Sequence, residues 1–506
     1  MAWSPAFLDY IAGDRGAEVW RARVMKSWRD PGVTDYTIAS CEGYGEALIA
    51  APPKVSGARL TPVSWSSTIG TCTLRLHGSC DTLRTMATRG TVMVVELGRR
   101  AGGKVVWETV YWGGVWSLTG AAQGYDLELR DPVSVLAGRM DASSPALFAT
   151  TSSTTLQVDV NAAADPEGAD TTGWLWDEFG DGIGCIRIDD ELITFTSIAA
   201  DVFDGTVTRG AFGTTAAAHT AGATITGVVL LRGHPLDIAR RLILSHPESG
   251  NSVWDDYPHQ WGLAVDQVLV DQQDISNWRA TITPSSGSLT WSILHEDGAV
   301  EEGLAWLTAM LVRAGIFVTM RQGLLTVRGA AFPLSYVNYP PRVDRVRTIT
   351  AHDLIEGIDA LQTEAWAGEY DAEAIQVRVT TDAGSTSATS TSSSTLPAVL
   401  VADYDLTDVV RSNEAASRQE VLDRIALFAT RVPEALLATG AGMHLAQLAP
   451  GDVVYLRHAD AGIVLDYDES SGGRACYVTQ VVADWAEHTV AVRLLAYPAT
   501  EDAMPS

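Results

Sequence analysis

The chain has 506 residues, 46% of them hydrophobic and 19% charged, which is enough apolar material for roughly three to five structural units. The formal net charge of −27 argues against a nucleic-acid-binding surface and against docking on anionic lipid, because phosphates would be repelled. Sixteen tryptophans and 45 glycines favour β structure. The start of the chain lacks the basic and apolar regions of a signal peptide, and no apolar run is long enough to predict a membrane span.

Short strand-like runs at regular spacing fill residues 1–140 and predict a first barrel or sandwich. They are Trp20–Met25, Thr71–His77, Gly90–Gly98, Val105–Trp112, Gly113–Leu118 and Tyr125–Arg130. Gly113-Gly114 is predicted to be a turn between two of these strands. Asp131-Pro132 is predicted to end the set.

Residues 141–232 are predicted to form a small, mostly β insertion. Two strands, Cys185–Ile188 and Leu192–Ser197, flank the acidic turn Asp189–Glu191, and glycine-marked turns follow as far as Ile225. Arg209 is expected to pair with a carboxylate, either Asp204 or Glu191, with a sugar or partner-protein contact as the alternative. His219 is expected to be a loop or packing residue, with a ligand or catalytic role as the alternative.

Residues 233–345 change to mixed helix and strand. A helix is predicted over Pro235–Ser245, a polar, aromatic connection over Trp254–Trp278, and a strand over Trp291–His295. An apolar stripe then predicts a second helix with an acidic N-terminus; the stripe is Val300, Leu304, Leu307 and Leu311, and the acids are Glu296, Asp297, Glu301 and Glu302. The runs Ile316–Met320 and Leu324–Arg328 predict a hairpin.

Residues 346–506 are predicted to be a second barrel-like domain. Residues 384–395 are almost pure Ser and Thr and are expected to form a flexible or extended surface loop. Residues 412–431 are predicted to be a helix. A turn and strand are expected over Leu448–His458, and two strands over Cys476–Leu495 with a bend at Asp484–His488.

No motif of an enzyme or a cofactor site is found, and we expect no catalytic, cofactor-binding or metal-binding residue. The five cysteines, Cys41, Cys72, Cys80, Cys185 and Cys476, are expected to be reduced and mostly buried. The acidic pairs at 189–191, 255–256 and 296–297 are expected to be solvated turns. The most site-like stretch is Asp255–Trp261 with Trp254, and a metal there would need ligands such as His234, His246 or His295; a packed aromatic loop is the preferred interpretation.

Three segments resemble parts of bacteriophage tail hub proteins. They are the "IDDE" strand pair followed by "TRGAFGTTAAAHTAGA" at 188–223, "GLAWLTAMLVRAGIFVTMRQGLLTVR" at 303–328, and "PGDVVYL" at 450–456 with the strand pair after it. The first segment is similar to a module of phage tail proteins, the second to the interior domain of a hub, and the third to its last barrel. The resemblance implies an α+β, mainly β chain with two barrel-like domains (1–140 and 346–506), a β insertion (141–232) and a helix-plus-hairpin interior domain (233–345).

The same resemblance implies a virion protein of a phage tail tip or baseplate, assembled in the host bacterial cytoplasm. Hub proteins form homotrimeric rings that close or continue the tail tube, support the central fibre and open for DNA passage during genome ejection. The implied partners are tail tube and distal tail proteins, the tape measure protein and central fibre or receptor-binding proteins, with DNA only in transit. Two alternatives remain: a tail-associated cell-wall hydrolase, and a carbohydrate-binding receptor protein that exposes Trp254, Trp261 and Trp278 on one face.

Overall fold

A computed structural model describes most of the chain. The described residues are 3–12, 18–26, 32–61, 66–67, 70–77, 91–101, 104–121, 124–132, 139–140, 147–152, 155–159, 184–199, 202–204, 206–219, 223–244, 263, 265–281, 291–296, 301–302, 307–308, 311, 316–329, 348–350, 353, 361–363, 374–381, 384–391, 399–405, 434–457 and 474–496. No helix within these ranges is both long and apolar enough to span a bilayer.

Helices are few and short in these residues. They are α1 Pro5–Ala12, α2 Pro235–Leu244 and α3 Gln272–Thr281, with 3₁₀ turns at Ala211–Gly213, Gln267–Leu269 and Met443–Gln447. Residues 307, 308 and 311 are also helical.

Strands make up most of the described fold. The first half contains β1 Val19–Met25, β2 Val33–Ala39, β3 Glu46–Ala47, β4 Ile49–Ser56, β5 Leu60–Thr61, β6 Ser66–Ser67, β7 Thr71–Leu76, β8 Val92–Ala101, β9 Lys104–Ala121, β10 Gly124–Arg130, β11 Arg139–Met140, β12 Leu147–Ser152, β13 Thr155–Asp159, β14 Gly184–Ile188, β15 Glu191–Phe195, β16 Ser197–Ala199, β17 Val202–Asp204 and β18 Thr224–Gly233. The second half contains β19 Trp291–Glu296, β20 Glu301–Glu302, β21 Ile316–Arg321, β22 Leu324–Gly329, β23 Thr348–Thr350, β24 Leu361–Thr363, β25 Ala374–Thr381, β26 Gly384–Thr391, β27 Val399–Asp405, β28 Glu434–Ala441, β29 Val453–Arg457, β30 Arg474–Asp484 and β31 Thr489–Ala496. The predicted mainly β class is confirmed.

One large mixed sheet joins the two ends of the chain. Its 14 strands run in the order β24-β28-β31-β30-β4-β7-β10-β9-β8-β1-β2-β3, with β29 on β30 and β23 on β29. The junction is the antiparallel pair β30–β4, in which Val482 lies opposite Ser56 and Asp484 opposite Lys54. Within the described residues no pairing joins the two ends of this order, so the sheet is open there.

A large hydrophobic core of buried residues lies against this sheet. It contains buried residues from the first hundred positions, such as Phe7 and Leu74, together with residues from the last fifty, such as Val478 and Leu494. The segments predicted as first and last barrels therefore share both backbone pairing and apolar contacts. The domain boundaries drawn from the sequence remain a prediction.

Helix α1, which the sequence analysis missed, fastens the N-terminus to this core. Ser4 caps it by accepting a hydrogen bond from the Phe7 N–H at 3.2 Å, and Pro5 occupies the first helical position, where its missing N–H costs nothing. Phe7 and Ile11, one turn apart, are buried. Trp3 packs edge-to-face on Trp485 with ring centroids 6.3 Å apart, so the first and last segments meet directly.

Smaller sheets complete the described fold. Seven strands between Leu147 and Gly233 form a sheet in the order β15-β14-β18-β12-β13-β17-β16, and β19, from the next predicted domain, adds an eighth strand on β18. The hairpin β21–β22 turns at Gln322-Gly323, where both residues have positive φ. This hairpin, the strands of the acidic hairpin β14–β15, the helix from Pro235 and the strands near the C-terminus were predicted correctly. Residues 412–431 lie outside the described residues.

The predicted turn at Gly113-Gly114 is wrong, because β9 runs through it as one 18-residue strand. A Cβ atom at position 113 would lie 2.0 Å from the carbonyl oxygen of Arg130 in the neighbouring strand β10. The glycine is therefore needed for a close backbone approach inside the sheet, not for a turn.

The prediction of a flexible or extended surface loop at 384–395 is also wrong for residues 384–391. Gly384–Thr391 is strand β26, which pairs antiparallel with β25 along its whole length. Backbone hydrogen bonds and the β preference of threonine stabilise this strand without requiring large apolar side chains.

The acidic helix start predicted at 296–302 does not form. Glu296 belongs to β19, which pairs with β18, and Glu301–Glu302 form β20, which pairs with β11. Backbone pairing therefore competes with the helix dipole there and prevails. Leu307 and Leu311 are helical and fully buried, as the apolar stripe predicted.

Helix α3 replaces part of the connection predicted over Trp254–Trp278. Asp271 caps the helix by accepting a hydrogen bond from the Asp274 N–H at 3.1 Å. Ile275 and Trp278 turn inward and are buried. The polar composition of the helix (QQDISNWRAT) concealed it, because one of its acids, Asp274, faces the interior instead of solvent.

Asp274 takes part in a buried charge network that we call the Arg328 network, consisting of Arg328, Arg321, Asp271, Asp274 and Asp452. The Arg328 side chain is 1% exposed. Its Nε donates to Asp274 at 2.8 Å, and its Nη1 donates to Asp452 at 2.9 Å and to the Pro450 carbonyl at 2.8 Å. The network links α3, the β21–β22 hairpin and the loop before β29.

The role of Gly113 can be tested with a single methyl group. Gly113→Ala is expected to lower the free energy of unfolding by about 1–3 kcal/mol, since strand β10 has to move away from the added Cβ. Gly120→Ala in the same strand is the matched control, because its Cβ would meet only the Tyr125 ring at 3.5 Å. Equal stability of the two variants in urea unfolding would contradict the close approach.

The Arg328 network can be tested by removing one charge. Asp274→Asn is expected to destabilise the protein by about 3–5 kcal/mol, because it leaves Arg328 buried without its main counter-ion. Asp126→Asn removes the partner of Arg75 in an exposed pair and is expected to cost at most about 1 kcal/mol. Denaturant unfolding of both variants measures the difference, and a mild effect of Asp274→Asn would show that water or other groups replace the carboxylate.

Candidate functional site

The strongest polar cluster outside the Arg328 network lies in the insertion, at the hairpin β14–β15. Ile188 and Glu191 pair across a two-residue turn, Asp189-Asp190, and Asp189 adopts a positive φ of 50° that aspartate tolerates. The turn was predicted, but its acids are not all solvated. Glu191 is the first residue of β15, and its side chain is 1% exposed.

The segment after β17 wraps around this hairpin. Thr208 and Thr194 exchange two backbone hydrogen bonds of 2.8 and 3.1 Å, which holds Arg209 beside the start of β15. Gly210, Phe212 and Gly213 then have positive φ and reverse the chain. A Cβ at Gly210 would lie 2.8 Å from the Thr214 carbonyl oxygen, so this position requires glycine.

Glu191 is the centre of the cluster because both of its oxygens accept several hydrogen bonds. Arg209 binds it with two parallel bonds, Nε to Oε1 at 2.5 Å and Nη2 to Oε2 at 2.6 Å. The backbone N–H groups of Gly210 and Ala217 donate to the same carboxylate, each at 2.9 Å. Arg209 also donates to the Ala217 carbonyl. The prediction that Arg209 pairs with Asp204 or Glu191 is confirmed, with Glu191 as the partner.

His219 bridges the turn residue Asp189 and the strand residue Glu191. Its Nε2 lies 2.8 Å from Glu191 Oε2 and its Nδ1 lies 2.8 Å from Asp189 Oδ2. The side chain is 2% exposed. A protonated imidazole can donate to both carboxylates at once. His219 is therefore a packed framework residue, as predicted, and its contact with both acids was not foreseen.

These contacts lower the pKa of Glu191. Burial alone would raise that pKa, but the hydrogen bonds from Arg209, the Ala217 and Gly210 backbone and His219 outweigh it. The pKa falls to about 2, so Glu191 is ionised at neutral and mildly acidic pH.

The geometry of the cluster favours a structural role over a chemical one. The oxygens of Glu191 already accept five hydrogen bonds, which leaves little capacity for a metal ion or for proton transfer to a substrate. No group of three or more His, Cys, Asp or Glu side chains in the described part of the chain is arranged to hold a metal. We therefore interpret Glu191, Arg209, His219 and Asp189 as a clamp, called here the Glu191 clamp, that fixes the wrapped segment to the hairpin.

Of the other candidate residues, the structure describes only His234, His295 and Trp278. Trp254, Asp255–Trp261 and His246 lie outside the described residues. His234 is buried at the start of α2, where its Nδ1 accepts a hydrogen bond from the Leu236 N–H at 3.2 Å, and His295 lies in β19. Trp278 is 2% exposed, which contradicts the exposed role that the sugar-binding alternative required of it.

The described cysteines are free thiols. Cys72, Cys185 and Cys476 are buried and Cys41 is half-buried, while Cys80 lies outside the described residues. Burial raises the pKa of the Cys72 thiol, which keeps it protonated and unreactive.

No protein-family model and no curated protein sequence matches the chain. Among solved structures, a tail protein from Neisseria meningitidis MC58 aligns with 95% of this chain and 96% of its own, at 11% identity and a TM-score of 0.38. A 43 kDa tail protein of prophage MuSo2 from Shewanella oneidensis covers 97% and 100%, at 10% identity and a TM-score of 0.37. A chain of the Francisella PdpA-VgrG complex covers 99% and 62%, at 8% identity and a TM-score of 0.35. These are similarities of structure at low sequence identity.

The Glu191 clamp predicts a specific pH dependence. A carboxyl group whose pKa is lower in the folded state stabilises the fold above its unfolded pKa of 4.5, and this contribution is lost as the pH falls towards about 2. Glu191→Gln is expected to remove this part of the acid sensitivity and to destabilise the insertion at neutral pH by about 1.5–3 kcal/mol, since charged hydrogen bonds are lost.

Urea unfolding of both proteins between pH 2 and 7 measures the effect as a difference, which cancels the titration of the other acids. Asp190→Asn, in the same turn but exposed, is the matched control and should follow the unaltered chain. A stability difference between Glu191→Gln and the unaltered chain that stays constant down to pH 2 would contradict the clamp.

Proposed function

We propose that the chain is a structural virion protein of a bacteriophage tail tip or baseplate. In this proposal three copies form a hub ring that closes or continues the tail tube, supports the central fibre and opens for DNA passage. Its partners are the tail tube and distal tail proteins, the tape measure protein and the central fibre or receptor-binding proteins. The proposal rests on the three segments that resemble hub proteins and on the way the fold arranges them.

The observation that carries the proposal is the junction β4–β30. It places the β unit built from β1–β4 and β7–β10 edge to edge with the β unit built from β23, β24 and β28–β31, in one continuous sheet. Each copy thus contributes two adjacent β units, which we interpret as the two barrel-like domains of a hub. Three copies would present six such units, which matches a sixfold tube.

The charge of the chain supports passage of DNA without binding. A net charge of −27 disfavours contact with phosphates, so a channel lined by this chain would repel the passing duplex instead of retaining it. The Glu191 clamp supports a mechanical role for the insertion, because it rigidifies a surface that can contact neighbouring tip proteins.

The stoichiometry tests the hub directly. Native mass spectrometry of the purified protein is expected to give three chains of 54.0 kDa each, and a cryo-EM map of the particle should show three copies around an acidic channel. One copy or six copies in the particle, or a basic channel lining, would contradict the proposal.

A zymogram on purified peptidoglycan separates the hub from the hydrolase alternative. The hub predicts no clearing by the trimer, and a cell-wall hydrolase of known activity serves as the positive control. Clearing by the purified protein would favour the hydrolase.

A further inference from the structure

The small sheet β26–β25–β27 has two outer edges. β25 is the middle strand, with β26 antiparallel on one side and β27 parallel on the other. Within the described residues, β26 and β27 each pair only with β25. The outer N–H and C=O groups of such edge strands can accept a strand from another chain.

Strand β26 lacks the usual protection of an edge. Its sequence, GSTSATST, contains no charge and no proline, and its eight residues pair with β25 without a register shift. Edge strands in soluble proteins are normally interrupted by charges, prolines or bulges, which prevent association. Ser385 and Ser387 are exposed. A neutral edge of this kind is unusual in a chain of net charge −27 and is suited to pairing.

Strand β27 is complementary to β26 in length and charge. It has seven residues and exposes Asp403 and Asp405, of which Asp403 is held by Arg378 with bonds of 2.7 and 2.8 Å. Two β27 edges side by side would bring like charges together, whereas β27 beside β26 would place carboxylates near serine hydroxyls that can donate to them. A hydroxyl pair already bridges two strands in this sheet, between Thr380 and Ser385 at 2.9 Å.

We propose that β26 of one copy pairs with β27 of the next copy, so that three copies close a ring of nine strands. This inference rests on the proposed trimer and names one of its subunit interfaces. Rotation about an axis along the strands preserves strand direction. Since β26 runs against β25 and β27 runs with it, β26 meets the neighbouring β27 antiparallel. A head-to-tail contact of this kind closes into a ring and leaves no open edge.

Engineered cysteines test the pairing. Thr380 lies opposite both Ser385 and Asp405, so the latter two occupy one row of the sheet and would face each other across the interface. The full-length variant Ser385→Cys/Asp405→Cys, treated with a short thiol cross-linker that tolerates a small stagger, is expected to give covalent dimers and trimers on a denaturing gel. Each single variant, and the unaltered chain with its native cysteines, should give only background.

A pair of charge variants tests the energetics. Ser385→Asp/Ser387→Asp adds carboxylates beside those of β27 and is expected to raise the trimer dissociation constant about tenfold or more, since like charges across an interface are unfavourable. Ser385→Lys/Ser387→Lys should keep the trimer or tighten it. Both changes lie on exposed positions, and an unaltered melting temperature of the monomeric fraction would show that the fold is intact.

The outcomes distinguish this inference from the proposed hub. If the unaltered chain is monomeric, both fail. If it is trimeric but the Asp variant dissociates no more readily and the double cysteine variant does not cross-link, the hub stands and this interface is wrong. Cross-linked dimers from Ser385→Cys alone would show pairing of β26 with β26, which also overturns the inference.

Discussion

The fold depends on the buried positive charge of Arg328. Arg328 is buried, and the energy of burying an unpaired guanidinium exceeds the whole stability of a typical domain unless carboxylates and carbonyls surround it. Its partners come from two distant segments: Asp274 lies on α3, and Asp452 and the Pro450 carbonyl lie in the loop before β29. Each segment is therefore held in the one position that completes the network. The charges of Arg328 and Arg321 lower the pKa of Asp274 despite its burial, so this carboxylate stays ionised.

The Arg328 network lies next to the place where the chain ends meet. Gln322, at the tip of the β21–β22 hairpin, accepts a hydrogen bond from the Trp3 N–H at 3.0 Å, and the indole of Trp3 donates to the Thr109 carbonyl at 2.7 Å. Trp3 also packs on Trp485. The hairpin therefore contacts both the N-terminal residues and the C-terminal segment. Ion pairs of Arg328 hold strand β22, and the hydrogen bond from Trp3, which itself packs on Trp485, holds the turn at Gln322.

Secondary structure was predicted correctly where the local pattern of apolar and turn residues agrees with the tertiary environment. The hairpin β21–β22 and the strands β30 and β31 carry apolar runs around clear turn residues, and they form as predicted. The failures occurred where a residue serves a contact that no local pattern encodes. Gly113 was predicted to lie in a turn. The structure requires glycine there because the Arg130 carbonyl of the neighbouring strand lies close to it, and this contact cannot be predicted without knowing which strands pair. Helix α3 was hidden because Asp274 faces the interior.

The candidate site shows the same limit. The Arg209–carboxylate pair could be predicted because both residue types lie in one short module, but the burial of Glu191 and its bridge to Asp189 through His219 could not. From sequence alone, an acidic residue at the first position of a strand, such as Glu191, is predicted to belong to a solvated turn. The burial of Glu191 is favourable because the segment after β17 reverses direction at Gly210 and Gly213. This reversal places hydrogen-bond donors around the Glu191 carboxylate. The signal that could have revealed it is the presence of Arg and His near an acidic hairpin in one compact module.

These constraints limit how a hub built from this chain could open. The two β units of one copy share a sheet and a core, and the buried Arg328 network ties the C-terminal unit to α3 and the hairpin. Separating the units within a copy would expose this core, at a cost comparable to unfolding. The proposed contact between copies, β26 on β27, would bury far less apolar surface than the core within one copy. Water could replace its hydrogen bonds when the copies separate. Opening for DNA passage would therefore move whole copies relative to one another, and the interfaces between copies would be the part of the ring that separates.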